Sequence, residues 1–170
     1  MNSIMNRQLK VIGLWRVPGV RLHWPHPREL VDRHWPLDER QRVAAYLRAG
    51  TSLGGYCGYS WCRFPGGPPD DEMGSADLTD GDWVWPEGLA VYVERYAVRL
   101  PEDFLRAVAA RGYNPPPVEP GDYHLAVYSD AEWVVWTRAT RRNRVLAWLS
   151  WLVPRRRNRP PREQVEYEIE

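Results

Sequence analysis

A single small α+β domain of short strands and three helices, with a C-terminal αβ extension, is the architecture the sequence predicts. Three observations lead there. The 170 residues are enough for one hydrophobic core but too few for two full domains. Three segments carry apolar residues at helical spacing: Val43, Tyr46 and Leu47; Leu89, Tyr92, Val93 and Tyr96; Phe104, Leu105 and Val108. Between and after them lie short aromatic or alternating runs bounded by Gly, Pro and Asp, which read as strands. A composition of 44% hydrophobic and 26% charged residues is globular and excludes disorder throughout. Composition shifts divide the chain into an N-terminal arm (1–26), an α+β core (27–112), a Pro-rich linker (113–122), a strand-strand-helix extension (123–154) and a charged tail (155–170).

The opening "MNSIMNRQLKVIGLWRVPGV" places basic residues ahead of an apolar patch, but Arg16 interrupts the patch and no small-residue cleavage site follows, so no signal peptide is expected. Residues 18–36, rich in Pro, His and Trp, read as an irregular arm with one helical turn near Glu29 to Arg33. Asp38 begins a helix over about 38–49. Its carboxylate is placed to cap free amides, Gln41 to reach back in a capping box, and Gly50 to end the helix. "GGYCGYSWCRF" reads as a strand over roughly 55–64, and the Pro/Gly/Asp stretch 65–76 as a loop.

The stretch "DLTDGDWVWPEG" at 77–88 is the most punctuated part of the chain. Asp80-Gly81 is turn chemistry, and 82–85 is a short strand whose Trp83 and Trp85 share one face because side chains alternate with period two. Pro86 then suits the first position of a helix, with Glu87 near the positive end of its dipole. A further helix runs from Pro101-Glu102 to Gly112, and "NPPPVEPGD" is a stiff linker. Beyond it two strands joined by a turn near Ser129-Asp130 are expected, then a short helix at "VLAWLSWLV", then an edge strand in "EQVEYEIE".

The motifs "GYSWCR" at 58–63, "LTDGDWVWPEGLAVYV" at 78–93 and "VRLPEDF" at 98–104 resemble a family of uncharacterised bacterial proteins with the pattern GxSxCR, LTDGxxxWPEGLxxYV and VxLPxxF. The resemblance covers about Pro27 to Leu105 and implies no established activity, so no catalytic residue follows from it. The family pattern often has a histidine where this chain has Val91.

Charge is segregated along the chain although the net charge is only +1. Between Phe64 and Glu94 stand eight carboxylates, Asp70, Asp71, Glu72, Asp77, Asp80, Asp82, Glu87 and Glu94, without one Lys or Arg. Between Trp133 and Arg162 stand nine arginines, among them Arg141, Arg142, Arg144, Arg155, Arg156 and Arg157, without one Asp or Glu. Each block is able to face a partner of opposite sign, or the two to attract each other within the fold.

Catalytic and metal chemistries find little support. Gly58-Tyr59-Ser60-Trp61-Cys62 opens like a serine nucleophile elbow but lacks the second glycine that lets a strand turn sharply into a helix. Cys62 beside Arg63 has a cation to stabilise a thiolate, with His23, His26, His34 or His124 as a base, yet its aromatic neighbours favour an inert core cysteine. Cys57 and Cys62 are expected as reduced thiols, and their spacing puts them on opposite faces of a strand instead of in a zinc knuckle. Asp77, Asp80 and Asp82 do not fall at the first, third and fifth positions of a calcium loop. No catalytic set, metal or cofactor is therefore assigned. The longest apolar run, Val145 to Val153 broken by Ser150, is too short to span a bilayer, so membrane association is not favoured and the cytoplasm is expected.

Function is accordingly expected to be binding. The leading expectation is a cytoplasmic bacterial immunity- or antitoxin-type protein whose carboxylates Asp70, Asp71, Glu72, Asp77, Asp80 and Asp82 cover a basic surface on a protein partner. The alternative is a nucleic-acid-associated protein in which Arg141, Arg142, Arg144, Arg155, Arg156 and Arg157 contact phosphates while the interleaved Trp136, Trp148 and Trp151 stack on bases. Oligomeric state is left open by the sequence.

Overall fold

The computed structural model describes residues 8–17, 19, 23–119 and 126–152, the last seven through their backbone. The charged tail 155–170, with its expected edge strand, lies outside the described residues, as does His124. The fold is α+β, a single domain in which one mixed five-stranded sheet carries four helices. The strands are β1 (Gln8–Val11), β2 (Thr51–Gly55), β3 (Ala76–Thr79), β4 (Trp83–Pro86) and β5 (Val127–Ser129). The helices are α1 (Leu37–Arg48), α2 (Leu89–Tyr96), α3 (Glu102–Ala110) and α4 (Ala131–Leu152), one more than the three expected. Strand order is β2-β3-β4-β1-β5, with β2, β3 and β4 antiparallel in sequence and β1 parallel to both β4 and β5.

The alternation expected in β4 sets the core. Trp83 and Trp85 are both buried on the helical face, and the Phe104 ring of α3 meets each edge-on at centroid distances of 5.4 and 5.7 Å. Trp85 also donates its indole N–H to the Leu47 carbonyl at the end of α1, 3.0 Å away. Val84, between them, points to the other face and packs with Leu9 in a separate apolar cluster.

Several elements differ from the sequence expectation, each for a physical reason. Asp38 is not the cap of α1. Pro36, extended at ψ 140°, starts the helix one residue earlier, and Asp38 sits in the first turn, where the helix dipole favours a carboxylate. The strand expected over 55–64 ends at Gly55, and the chain to Pro69 is irregular. There the Tyr92 hydroxyl of α2 accepts from the Arg63 amide at 2.9 Å and donates to the Trp61 carbonyl at 3.3 Å, so a side chain takes the place of a neighbouring strand. β3 takes Ala76, the last residue of the expected loop, and runs to Thr79, just before the Asp80-Gly81 turn, through residues to which the sequence assigns no element. Pro86 closes β4 instead of opening a helix. Glu87 accepts the Ser75 amide at 3.1 Å, and α2 begins only at Leu89.

The C-terminal half departs furthest. The two expected strands are one strand, β5, followed at once by the 22-residue α4, which absorbs the expected short helix. Trp133 and Thr137 are both fully buried while Val135 between them is exposed, a pattern that a helix gives and a strand, whose alternate residues share one face, does not. The supposed arm likewise supplies β1, which lies between β4 and β5, so the segments read as arm, core and extension share one sheet.

Gly88 shows why "WPEG" needs its glycine. A Cβ there would lie 2.6 Å from the Met73 carbonyl oxygen, a backbone atom that cannot swing aside. Gly88→Ala is therefore expected to cost about 1–3 kcal/mol, read as a lower urea midpoint at unchanged slope.

Candidate functional site

The turn between β3 and β4 builds a buried polar network from the residues of "TDGD". One Asp80 carboxylate oxygen accepts the amides of Asp82 at 3.0 Å and Trp83 at 2.8 Å. The other accepts the Tyr46 hydroxyl of α1 at 2.7 Å and the Arg111 guanidinium from the end of α3. Arg111 spans further to Asp82, at 2.5 Å. Gly81 takes φ 92°, a region that disfavours other residues, and its amide donates to the Thr79 hydroxyl. Burial, and then the bond to Asp80, hold the Tyr46 hydroxyl well above its ordinary range, so it remains a donor. With Asp80 fully buried and both its oxygens engaged, this constellation joins α1, α3 and the hairpin.

Arg111 is the residue the sequence did not disclose. It stands one position before Gly112, where a helix-ending arginine reads as a solvated charge. Its pairing partners are 31 and 29 residues away in the chain.

The eight-carboxylate block is thus uncompensated in sequence but not in space. Glu72 pairs with Arg95 at 2.7 Å, Glu94 with Arg48, Asp82 with Arg111, and Asp80 is buried. Of the six carboxylates expected to face a partner, Asp80 does not reach the surface. Asp70 and Asp71 are exposed on a 3₁₀ turn (Asp70–Met73), Glu72 is exposed beside them, and Asp77 lies on β3, accepting the Tyr56 hydroxyl. That bond, more than burial, pushes the Tyr56 hydroxyl up to about 12.

Next to the acidic turn the irregular loop after β2 presents Tyr56, Tyr59 and Trp61, which are 66%, 62% and 49% exposed. Two backbone bonds hold loop and turn together: the Tyr56 amide to the Ser75 carbonyl at 2.7 Å and the Ser60 amide to the Gly74 carbonyl at 2.9 Å. Arg63 stacks over the Trp61 ring at 4.3 Å. Three large exposed aromatics and three exposed carboxylates therefore occupy adjoining segments.

The arginines of α4 are placed differently from the nucleic-acid expectation. Arg141 pairs with Glu29 at 3.2 Å, and Arg144 donates to the backbone carbonyls of Glu29 and Val31, so both tie α4 to the 3₁₀ turn Pro27–Leu30. Arg142 is exposed, and Arg155, Arg156 and Arg157 lie outside the described residues. Cys57 is exposed, and Cys62 sits half-buried in the irregular loop with its sulfur 3.8 Å from the Tyr96 hydroxyl, not in a core strand. His26 accepts the Arg28 amide, and burial followed by the charge of Arg28 lowers its pKa, which keeps the ring neutral and suited to accept. Among the described residues no three His, Cys, Asp or Glu side chains converge as metal ligands, and no helix is long and apolar enough to cross a membrane.

No protein-family model, curated protein or solved structure matches the chain.

Proposed function

We propose that this chain is a non-catalytic interaction protein of the bacterial cytoplasm, of the immunity or antitoxin type, which binds a basic surface on a protein partner. Its interface is the acidic turn Asp70, Asp71 and Glu72 together with Tyr56, Tyr59 and Trp61. The observation that carries the reading is the adjacency of those exposed aromatics to the exposed carboxylates, fixed by the Tyr56–Ser75 and Ser60–Gly74 backbone bonds. Tyr and Trp are the residues that anchor protein interfaces, while carboxylates at the rim steer a cationic partner and set the association rate. In the constellation around Asp80 both carboxylate oxygens are engaged by groups of the fold itself. The nucleic-acid reading is weaker because Arg141 and Arg144 are engaged within the fold.

The test uses a partner co-purified from the native host. The triple variant Asp70→Asn, Asp71→Asn, Glu72→Gln is expected to slow association at least about ten-fold at low salt, with a flatter salt dependence. Tyr59→Ala with Trp61→Ala is expected to speed dissociation by a similar or larger factor. Unchanged kinetics in both variants would overturn the proposal, as would capture of nucleic acid alone.

A further inference from the structure

The sheet face opposite α1, α2 and α3 carries a concavity of about 620 Å³ that adjoins the interface above through Tyr56, a residue common to both. Its floor is apolar, made by Val11, Leu53 and Val84. Its sides include Tyr56 from the end of β2 and Tyr128 from β5, both at least half exposed. Asp77 of β3 lines the same space and is the only charged side chain to do so among the described residues. The register explains the assembly: Thr79 lies opposite Val84 in the β3–β4 pair, and Asp77, two residues earlier in β3, points to that same face. The Tyr56 hydroxyl donates to one Asp77 oxygen and so orients the carboxylate.

We infer that this concavity is a binding subsite for a guanidinium group, taking one arginine side chain of the basic partner. Aromatic faces attract a cation through their quadrupole, and a single carboxylate inside a partly desolvated site adds a charge-assisted hydrogen bond. The apolar floor suits the three methylenes of an arginine stem, and the planar guanidinium is able to stack on a tyrosine ring while donating to Asp77. An anion is opposed by Asp77. A purely apolar ligand would desolvate the carboxylate with the Tyr56 hydroxyl as its compensating donor and no cation, which costs free energy. The inference rests on the proposed binding of a basic protein and adds where one of its arginines is held.

The probe is N-acetyl-arginine-methylamide, with the norleucine analogue as a neutral control, titrated into the full chain and followed by the assigned Tyr128 amide and Trp24 indole resonances. Trp24 borders the site and its indole N–H is held by Asp130 at 2.7 Å, so it reports occupancy. The arginine compound is expected to shift both signals saturably. Asp77→Asn, which keeps an acceptor for Tyr56, is expected to weaken it roughly ten-fold with an unchanged melting temperature, and Tyr128→Leu to weaken it similarly. Equal binding of the norleucine compound, or no shift from either, would overturn the assignment. The Asp70/Asp71/Glu72 variant separates the two proposals: it is expected to keep the arginine compound while associating more slowly with the partner. If Asp77→Asn loses the arginine compound yet keeps full partner affinity, the subsite is not the partner's and this inference falls while the interface stands.

Discussion

Arg111→Ala is expected to destabilise the protein by about 3–5 kcal/mol, a large share of the stability of a small domain. The magnitude follows from what is left behind. Asp80 would keep its buried carboxylate, still held by the amides of Asp82 and Trp83 and by the Tyr46 hydroxyl, but without the Arg111 guanidinium that balances it. A buried charge that loses its partner pays its desolvation uncompensated. Urea unfolding of the single variants and of the double variant Arg111→Ala, Asp80→Asn measures the coupling directly. If the pair acts as described, the double variant is less destabilised than the sum of the singles. Additive effects would show that Arg111 contributes packing alone.

Trp133→Ala is expected to cost a further about 3–5 kcal/mol in its own right, although it lies in the segment the sequence sets apart as an extension. The indole is fully buried, meets Trp15 edge-on at 5.5 Å, stacks on Trp136 at 5.5 Å and donates to the Leu14 carbonyl at 2.9 Å. Its removal opens a cavity and orphans a carbonyl next to β1. Thermal unfolding followed by circular dichroism checks it. A single cooperative transition at lower temperature is expected, because α4 and the strand it covers belong to one core. Loss of α4 signal in a separate early transition would instead mean an independently melting appendage.

The parts of the fold that were legible in the sequence are those whose cause is local. The stripe Val43, Tyr46, Leu47 announces α1 because helical spacing is read within two turns, and all three residues are buried. The shared face of Trp83 and Trp85 follows from the pleat alone, and Asp80-Gly81 announces a turn because Gly81 tolerates positive φ. The candidate interface was half legible: Asp70, Asp71 and Glu72 were named, and the structure leaves them exposed. The exposed tyrosines and Trp61 beside them read in the sequence as a strand, since an alternating aromatic run looks the same whether a neighbouring strand or the Tyr92 hydroxyl satisfies its backbone.

The α+β class, the helical stripes and the punctuation of "DLTDGDWVWPEG" are written locally in the chain. The entry of β1 into the sheet between β4 and β5, the pairing of Arg111 with Asp80, and the bracing of the Pro27–Leu30 turn by Arg141 and Arg144 emerge in three dimensions alone. The physical reason is separation along the chain. A helical stripe or a tight turn is written within a few residues, whereas strand order and charge pairing depend on which distant segments meet, and a carboxylate reads the same in sequence whether it meets water or an arginine.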